Sequence, residues 1–348
     1  MHFASDNWGG ALPEVAQALV DHCDGFAAAY GNSELDRSLV HRFQEIFEHD
    51  LEMFLVGTGT AANSLAMSAA GRPGGVVFSH ANAHMFEEEC GAIEKIGGGL
   101  RITPVEGALG KIAPEKFAAA LGRLPEGFVH VGQPSAVTLT QATEWGTLYQ
   151  LDQIAEIASI ARKRNIAVHM DGARFANALV ALDVTPADMT WRQGVDMLSF
   201  GASKNGCWCA EALLVFNPRY AEHMIYAQKQ AGHLFSKSRF ISAQLETYLS
   251  EDNWRKWARQ ANRLAAELTA ILMRSGAARI AWTPEANIVF AIMKIKEAER
   301  LQAAGAFFYR RASLETEIAI AGDEGLYRFV TSPMNDATDL QDFAEILS

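Results

Sequence analysis

The sequence predicts an α/β fold in which a large domain with a mainly parallel sheet is followed by a smaller C-terminal α+β domain. Apolar runs of strand length alternate with helical patterns from about residue 52 to about residue 216, which is the rhythm of a mainly parallel sheet. A long helical stretch over residues 253–274 then leads into a shorter alternation. The length of 348 residues also favours a large domain with a smaller companion.

The strand candidates of the first part are short apolar runs bounded by polar or turn residues. They are residues 52–56, 76–78, 128–131, 137–139, 166–170, 195–200 and 212–216. Helical patterns lie between and before them. One is the one-face spacing of Ile154, Ile157, Ala158 and Ala161, and another covers residues 35–47.

The last part of the chain shows a shorter alternation of strand and helix patterns. Strands are expected at residues 288–293, 306–309 and 326–330, with helices over residues 298–305 and after residue 336. We therefore predict a large α/β domain over residues 1–252 and a small α+β domain over residues 253–348.

Composition excludes several classes of protein. The net charge of -11, with lysines and arginines scattered along the chain, argues against nucleic acid as a partner. The first six residues do not form a basic region followed by an apolar stretch, and no run of about 18 apolar residues predicts a membrane span. The cysteine spacing, including the C-x-C of Cys207 and Cys209, matches neither a redox pair nor a zinc site. We expect a cytoplasmic protein with reduced thiols and no metal.

In open α/β sheets, ligands bind beyond the carboxyl ends of the strands. The first polar segment in such a place covers residues 57–63, Gly-Thr-Gly-Thr-Ala-Ala-Asn, after the strand that ends at Val56. Its glycines let the backbone approach an anion, and the dipole of the following helix favours a phosphate. An ordinary strand-to-helix turn is the alternative, and the absence of G-K-[ST] excludes a nucleotide P-loop.

The second segment is Asp171-Gly172-Ala173-Arg174, directly after the strand at residues 166–170. A carboxylate at a strand end can pair with a cationic ring nitrogen and keep the ring able to accept electrons. Arg174 can bind a carboxylate through two parallel hydrogen bonds. A salt bridge or a helix cap at Asp171 is the alternative interpretation.

The third segment, residues 199–206, places Lys204 beside Ser203 in a loop of small residues after the strand at residues 195–200. Such a lysine can be desolvated enough to form an imine, although a surface lysine is the alternative. An anion site, a strand-end aspartate and a strand-end lysine supply, in this order, the contacts that pyridoxal 5'-phosphate (PLP) requires.

These segments resemble the fold type I PLP enzymes, and within them the low-specificity L-threonine aldolases. The resemblance extends nearly from end to end and is most specific around Asp171 and Lys204. The segments that carry it are Phe3-Ala4-Ser5-Asp6-Asn7, Ala29-Tyr30-Gly31, Gly59-Thr60-Ala61-Ala62-Asn63, His84 with Glu89-Cys90-Gly91-Ala92, Thr140-Gln141-Ala142-Thr143-Glu144, His169-Met170-Asp171-Gly172-Ala173-Arg174, Ser203-Lys204-Asn205-Gly206 and Arg328-Phe329-Val330-Thr331.

The resemblance implies a role for each matching residue. Lys204 would carry PLP as a Schiff base, Asp171 would pair with the pyridine nitrogen, and His84 would stack on the ring. The phosphate and the rest of the cofactor would be held by Gly59, Thr60, Ser203 and Arg174, and by Arg239 and Lys229 from a neighbouring subunit. The substrate carboxylate would be bound by Ser5, Arg174 and Arg328, with Tyr30 near the subunit interface.

Two positions depart from the family pattern. Many relatives carry a histidine in a T-H-N-G segment near the substrate hydroxyl, where this chain has Glu144. A second common histidine is replaced by Ser332. The base that removes the hydroxyl proton is therefore open among His84, Glu144 and an ordered water. We expect the glutamates at positions 87–89 to form a solvated helix start, and a core position is the alternative for His84.

The expected function is cleavage of β-hydroxy-α-amino acids, such as L-threonine, L-allo-threonine and phenylserine, to glycine and an aldehyde. The alternatives are another reaction of the same fold, by a β-eliminating lyase or an amino-acid racemase, and a non-catalytic scaffold. The resemblance also implies a homotetramer, built as a dimer of dimers with shared active sites.

Overall fold

The computed structural model describes residues 1–311 and 318–348. Its strands are β1 Glu52–Val56, β2 Gly75–His80, β3 Arg101–Val105, β4 Gln133–Thr140, β5 Ala167–Gly172, β6 Met197–Gly201, β7 Glu211–Val215, β8 Ala278–Ile280, β9 Ile288–Lys294, β10 Tyr309–Arg311 and β11 Glu324–Val330. Its helices are α1 Pro13–Asp21, α2 Glu34–Phe47, α3 Gly59–Ala70, α4 His84–Glu87, α5 Ala92–Ile96, α6 Pro114–Gly122, α7 Leu151–Arg162, α8 Phe175–Leu182, α9 Pro186–Met189, α10 Met224–Gln230, α11 Arg239–Leu249, α12 Asn253–Ser275, α13 Ile295–Ala303 and α14 Ala337–Leu347.

Seven strands form the large sheet, in the order β1-β7-β6-β5-β4-β2-β3. The pairs from β6 to β3 are parallel, whereas β7 runs antiparallel to both of its neighbours. Fully buried strand residues such as Val77 and Val137 pack against helices on the two faces, which is the burial that a mainly parallel sheet requires. The predicted α/β fold is confirmed.

A second sheet, of four antiparallel strands in the order β10-β11-β9-β8, is formed by the C-terminal part of the chain. Its apolar face packs on α12 and α14 through residues such as Leu268, Phe329 and Phe343. The small mixed α/β region is thus present, while the division of the chain at residue 252 stays a prediction.

Residues 2–6 bridge the two sheets. The Phe3 backbone NH donates to the Phe307 carbonyl at 2.8 Å, and the Val330 NH donates to the Phe3 carbonyl at 2.8 Å. The side chain of Phe3 is fully buried among residues of the small sheet. The N-terminal segment therefore runs from the small sheet towards the large one, where Asp6 lies.

Two predicted strands differ from the structure. Residues 128–131 form turns, and the strand begins at Gln133 instead. Phe128 and Val129 are exposed, so their apolar character reflects no buried strand. The strand predicted at residues 306–309 is Tyr309–Arg311 in the structure, and Phe307 instead forms an isolated bridge with His2 of the N-terminal segment.

Within the described part of the chain, no helix combines the length and the apolar character needed to cross a membrane.

Candidate active site

The carboxyl edge of the large sheet gathers the polar segments singled out in the sequence. Asp171 lies near the end of β5, level with Ser199 of β6, and Lys204 lies in a 3-10 turn, Ser203–Asn205, just after β6. These two loops pack tightly, since a Cβ on Gly201 would lie 2.8 Å from the Cα of Ala173. The charges of Lys204 and Asp171 both act on His84. The structure thus brings the lysine, the aspartate and the histidine to one place.

Asp171 is buried, and both of its carboxylate oxygens are held. Asn63 Nδ2 donates to Oδ2 at 3.0 Å, and the Ala173 backbone NH donates to Oδ1 at 3.0 Å. Because the side chain stands at a strand end and is fixed from two sides, it is oriented before any ligand binds.

A hydrogen-bonded chain leads from the buried Asp171 to the partly exposed His84. Asn63 Nδ2 also donates to Glu89 Oε1 at 2.9 Å, and the same oxygen lies 2.9 Å from His84 Nδ1. The hydrogen bond to Glu89 raises the pKa of His84 above its usual value against the opposing effect of burial, with further help from Glu144. Glu89 therefore controls the orientation and the charge of His84.

The expectation that residues 87–89 form a solvated helix start is wrong for the helix start, because these residues lie at and after the end of α4, and it is wrong for the solvation of one of the three. Glu87 and Glu88 are exposed, but Glu89 is buried. The short helix α4 ends at Glu87, and the following turn directs Glu89 inward, where it meets His84 and Asn63. An acidic triplet alone does not reveal which member turns inward.

Arg174 is buried together with Asp6. Its Nε and Nη2 donate to the two Asp6 oxygens at 2.8 Å and 3.0 Å, and Asn287 Nδ2 also donates to Asp6 at 3.2 Å. Burial by itself would raise the pKa of the Asp6 carboxyl, but the Arg174 and Lys204 charges hold it below its usual value. Ser5 precedes this pair and caps the turn that follows through a 3.1 Å bond from the Asn7 NH. Asp6 lies in a segment that carries the family resemblance, but it was not among the residues predicted to bind cofactor or substrate.

Arg328, in β11 of the small sheet, supplies a second guanidinium group near Arg174. Burial first, and then the nearby charge of Arg174, lower the pKa of Arg328, while Glu144 opposes them. Its Nε is buried and has no hydrogen-bond partner in the described structure. Two neighbouring guanidinium groups, one with an unsatisfied buried donor, are suited to an anion such as a substrate carboxylate.

Glu144 lies in the loop after β4 and is partly buried. Its negative charge acts on His84, Arg174 and Arg328. The residue that replaces the family histidine therefore lies among the groups proposed to bind substrate.

The N-terminus of α3 lies after β1 at the same edge of the sheet. Thr58 caps the helix by accepting a hydrogen bond from the Ala61 NH at 3.1 Å. Gly59 and Thr60 occupy the first helical positions, whose amides have no partner within a helix. A Cβ on Gly59 would meet no atom within 4 Å, so space is open beside these amides for an anion.

Three further predicted residues cluster on the surface. Lys229 Nζ lies 5.2 Å from the centre of the Tyr30 ring, and Arg239 Nη1 donates to the Gly25 carbonyl at 3.1 Å. Tyr30 and Lys229 are exposed, and Arg239 is partly so. Within residues 1–311 and 318–348, no hydrogen bond or ion pair joins this cluster to Lys204.

The residues at the sheet edge fit PLP by their chemistry. A fixed carboxylate suits the ring nitrogen, a lysine in a small-residue turn suits an imine, and an open helix N-terminus suits the phosphate. Among the described residues, no group of three or more histidine, cysteine, aspartate or glutamate side chains is arranged to hold a metal ion.

Replacing Glu89 by glutamine should lower the pKa of His84, because the hydrogen bond to the Glu89 carboxylate is the main cause that raises it. An NMR titration of the labelled His84 imidazole measures this shift. Glu87→Gln is the matched control, since Glu87 is exposed in the same triplet and should leave the titration unchanged. Equal His84 titrations in E89Q and the wild type would contradict the role of Glu89.

Comparison with known proteins places this site in context. The family model described as beta-eliminating lyase matches residues 2–296. Low specificity L-threonine aldolase of Pseudomonas aeruginosa is 38% identical over 308 residues, which cover 88% of each chain. The structure of Leishmania major threonine aldolase superposes with a TM-score of 0.91 at 26% identity, covering 99% of this chain and 98% of that one. A lysine-to-alanine variant of serine palmitoyltransferase from S. paucimobilis with a bound PLP–myriocin aldimine shares the fold alone, at 15% identity and a TM-score of 0.68, with coverage of 100% of this chain and 86% of that one.

Proposed function

The chain belongs to the beta-eliminating lyase family, and within it to the low-specificity L-threonine aldolases, and from this premise we propose that it cleaves β-hydroxy-α-amino acids to glycine and an aldehyde. It is a PLP-dependent lyase. The observation that supports the reaction best is the pair Arg174 and Arg328, whose guanidinium groups lie within the range of the Glu144 charge, as His84 does. This arrangement can hold the carboxylate of an amino acid next to a group that exchanges protons.

When it is bound, PLP supplies an electron sink for the pair of electrons released at Cα. Lys204 would hold the cofactor covalently, and Asp171 would pair with its ring nitrogen. Gly59, Thr60 and Ser203 would contact the phosphate, and His84 would cover one ring face.

Orientation of the substrate determines which bond breaks. Arg174 is anchored by Asp6 through Nε and Nη2, which leaves Nη1 for the substrate carboxylate. Arg328 would bind the same carboxylate through its unsatisfied Nε, and Ser5 would add its hydroxyl. Fixing the carboxylate in this way would align the Cα–Cβ bond for cleavage.

We assign removal of the β-hydroxyl proton to His84. Its Nδ1 lies 2.9 Å from the Glu89 carboxylate, so the neutral ring carries its hydrogen on Nδ1 and presents a lone pair at Nε2. The nearest carboxylate to Nε2 is that of Glu88, at 3.8 Å, which is beyond hydrogen-bond distance. Glu144 would then tune the neighbouring charges rather than take the proton.

Incubation with L-threonine, L-allo-threonine and L-phenylserine tests the proposed reaction. We expect each to yield glycine and its aldehyde in equal amounts, whereas D-threonine serves as the stereochemical control. Keto-acid formation without aldehyde would favour a β-eliminating lyase, and interconversion of L- and D-alanine would favour a racemase. Absence of aldehyde from all three L-substrates would contradict the aldolase assignment.

We also propose that the protein assembles as a homotetramer, as a dimer of dimers, in the cytoplasm. Exposed large apolar side chains support self-association. Among them are Phe26, Tyr30, Trp208 and Tyr226. The adjacent basic residues Lys229 and Arg239 would then reach a neighbouring active site. The exposed free thiols of Cys23 and Cys90 suit a reducing compartment. Sedimentation velocity measures the mass in solution.

A further inference from the structure

Glu211 is a buried carboxylate that the proposed reaction leaves unused. As the first residue of β7, it pairs with Gly201 of β6 on one side and with Val56 of β1 on the other. Because β7 runs antiparallel to both neighbours, its first residue lies level with their last ones. Gly201 leads into the turn that carries Lys204, and Val56 leads into the N-terminus of α3. Glu211 therefore lies between the lysine turn and the proposed phosphate site.

Hydrogen bonds tie Glu211 to the lysine turn. The Ser203 backbone NH donates to Glu211 Oε1 at 3.2 Å, and the Ser203 hydroxyl oxygen accepts from the Ala210 NH at 3.3 Å. Only 7% of the Glu211 surface is exposed. A change of charge on this carboxylate would therefore act directly on the residue before Lys204.

Burial raises the pKa of Glu211 to about 7, while the hydrogen bonds from Ser203 and the charge of Lys204 oppose this shift and Asp171 reinforces it. Near neutral pH the carboxyl group can therefore gain or lose a proton at little cost, unlike an ordinary glutamate.

The other titratable groups around Glu211 are two thiols and one phenol, and all three stay uncharged near neutral pH. Burial raises the pKa of each of them. They are Cys207 and Cys209 of the β6–β7 connection and Tyr248 of α11. Lys204 and Asp171 are thus the partners whose charge Glu211 experiences, and of these two only Lys204 changes its bonding in the reaction.

We propose that Glu211 is a positioning residue that exchanges protons in step with Lys204, ionised while the Lys204 amine is protonated and protonated when that amine becomes neutral. The exchange is balanced, because the ammonium loses one proton, the carboxylate gains one, and the summed charge of the pair stays constant. A neutral amine is the form that attacks a carbonyl carbon. This inference rests on the proposed function, since it requires Lys204 to be the residue that attaches PLP.

The pH dependence of PLP uptake tests the inference. Glu211→Gln keeps an oxygen that can accept from the Ser203 NH but cannot ionise. Removing the negative charge should favour the neutral Lys204 amine, so the pH profile of PLP uptake by the apoenzyme, followed by visible absorbance, should shift to lower pH by about one unit. The rate at each pH is compared with that of the wild-type apoenzyme.

Asp196→Asn is the matched control. Asp196 is also a largely buried carboxyl whose pKa is raised by burial, but it precedes β6 at the opposite end of the strand, where it accepts a 2.8 Å bond from the Val168 NH. Its replacement should leave the uptake profile in place. An E211Q profile that superposes on the wild type, or an equal shift in D196N, would overturn the inference.

A second measurement does not depend on the folding of E211Q. Coupling between two titrating groups is reciprocal, so Lys204→Ala should raise the pKa of the Glu211 carboxyl by about one unit. Isotope-edited infrared spectra of apoenzyme with labelled glutamate measure this pKa. An unchanged value overturns the inference alone, whereas a wild-type protein that takes up no PLP overturns the proposed function and this inference with it.

Discussion

Replacing Lys204 by alanine is expected to lower the rate of aldehyde formation from L-threonine by about a thousandfold or more. The reason is that Lys204 is the amine at the carboxyl edge of the large sheet proposed to bond the cofactor. The turn that carries it is held by Glu211 and packed against the Asp171 loop. The assay follows aldehyde release with PLP in excess.

A second readout separates loss of attachment from loss of folding. Borohydride reduction should fix PLP to the wild type but not to K204A, while both should give the same far-ultraviolet circular dichroism. Lys163→Ala is the matched control, because Lys163 is exposed just after α7, and it should keep full activity. A K204A variant with more than about a tenth of wild-type activity would contradict a role this large.

The Asp6–Arg174 pair should dominate the stability of the site. Replacing Asp6 by alanine leaves the fully buried guanidinium of Arg174 without its carboxylate, so the free energy of unfolding should fall by about 3–5 kcal/mol. Urea unfolding of the two proteins measures the difference. The KM for L-threonine should rise as well, because Arg174 loses the anchor that orients it towards the substrate.

The pH dependence provides an independent check on Asp6. The pKa of Asp6 is lowered by folding from a usual value of 3.8. The pair therefore stabilises the wild type fully above that value, and its contribution is lost as the pH falls through the folded-state pKa. The stability gap between wild type and D6A should shrink in that acidic range.

Glu106→Ala is the control for the loss of an ion pair as such, because Glu106 pairs with Lys116 at the exposed surface, where such pairs contribute little. An Asp6→Ala protein as stable as the wild type at neutral pH would show that Arg174 finds another partner.

The site residues at the ends of buried parallel strands could be predicted from the sequence. Asp171 and Lys204 come after apolar runs that are fully buried in the structure, and the parallel sheet places all such ends at one edge. The topological rule therefore predicts their proximity, although the runs of apolar residues do not reveal that β7 is antiparallel. That reversal places Glu211 beside Lys204.

The residues that support the site could not be predicted from the sequence, because only their tertiary contacts distinguish them from other acidic residues. Asp6 meets Arg174 across 168 positions of sequence, and Glu89 differs from Glu87 only in the direction of a turn. The sequence also does not distinguish the charge states of two buried or partly buried histidines near the site. His169 lies between Thr138 and Ser199 at 2.9 Å from each, and burial lowers its pKa to about 4, so it stays neutral. His84, in contrast, is held in a more basic state by Glu89.

The bridging contacts of residues 2–6 impose an order on biosynthesis. Phe3 bonds to the backbone at Phe307 and Val330, and Asp6 accepts a bond from Asn287, 281 positions away. These residues leave the ribosome long before their partners exist. Such distant pairings delay folding, so the pocket can form around a substrate carboxylate only after residue 330 has been translated. Until then, Asp6 and Arg174, which are buried in the folded protein, are exposed to water, and the substrate site of the nascent enzyme is incomplete.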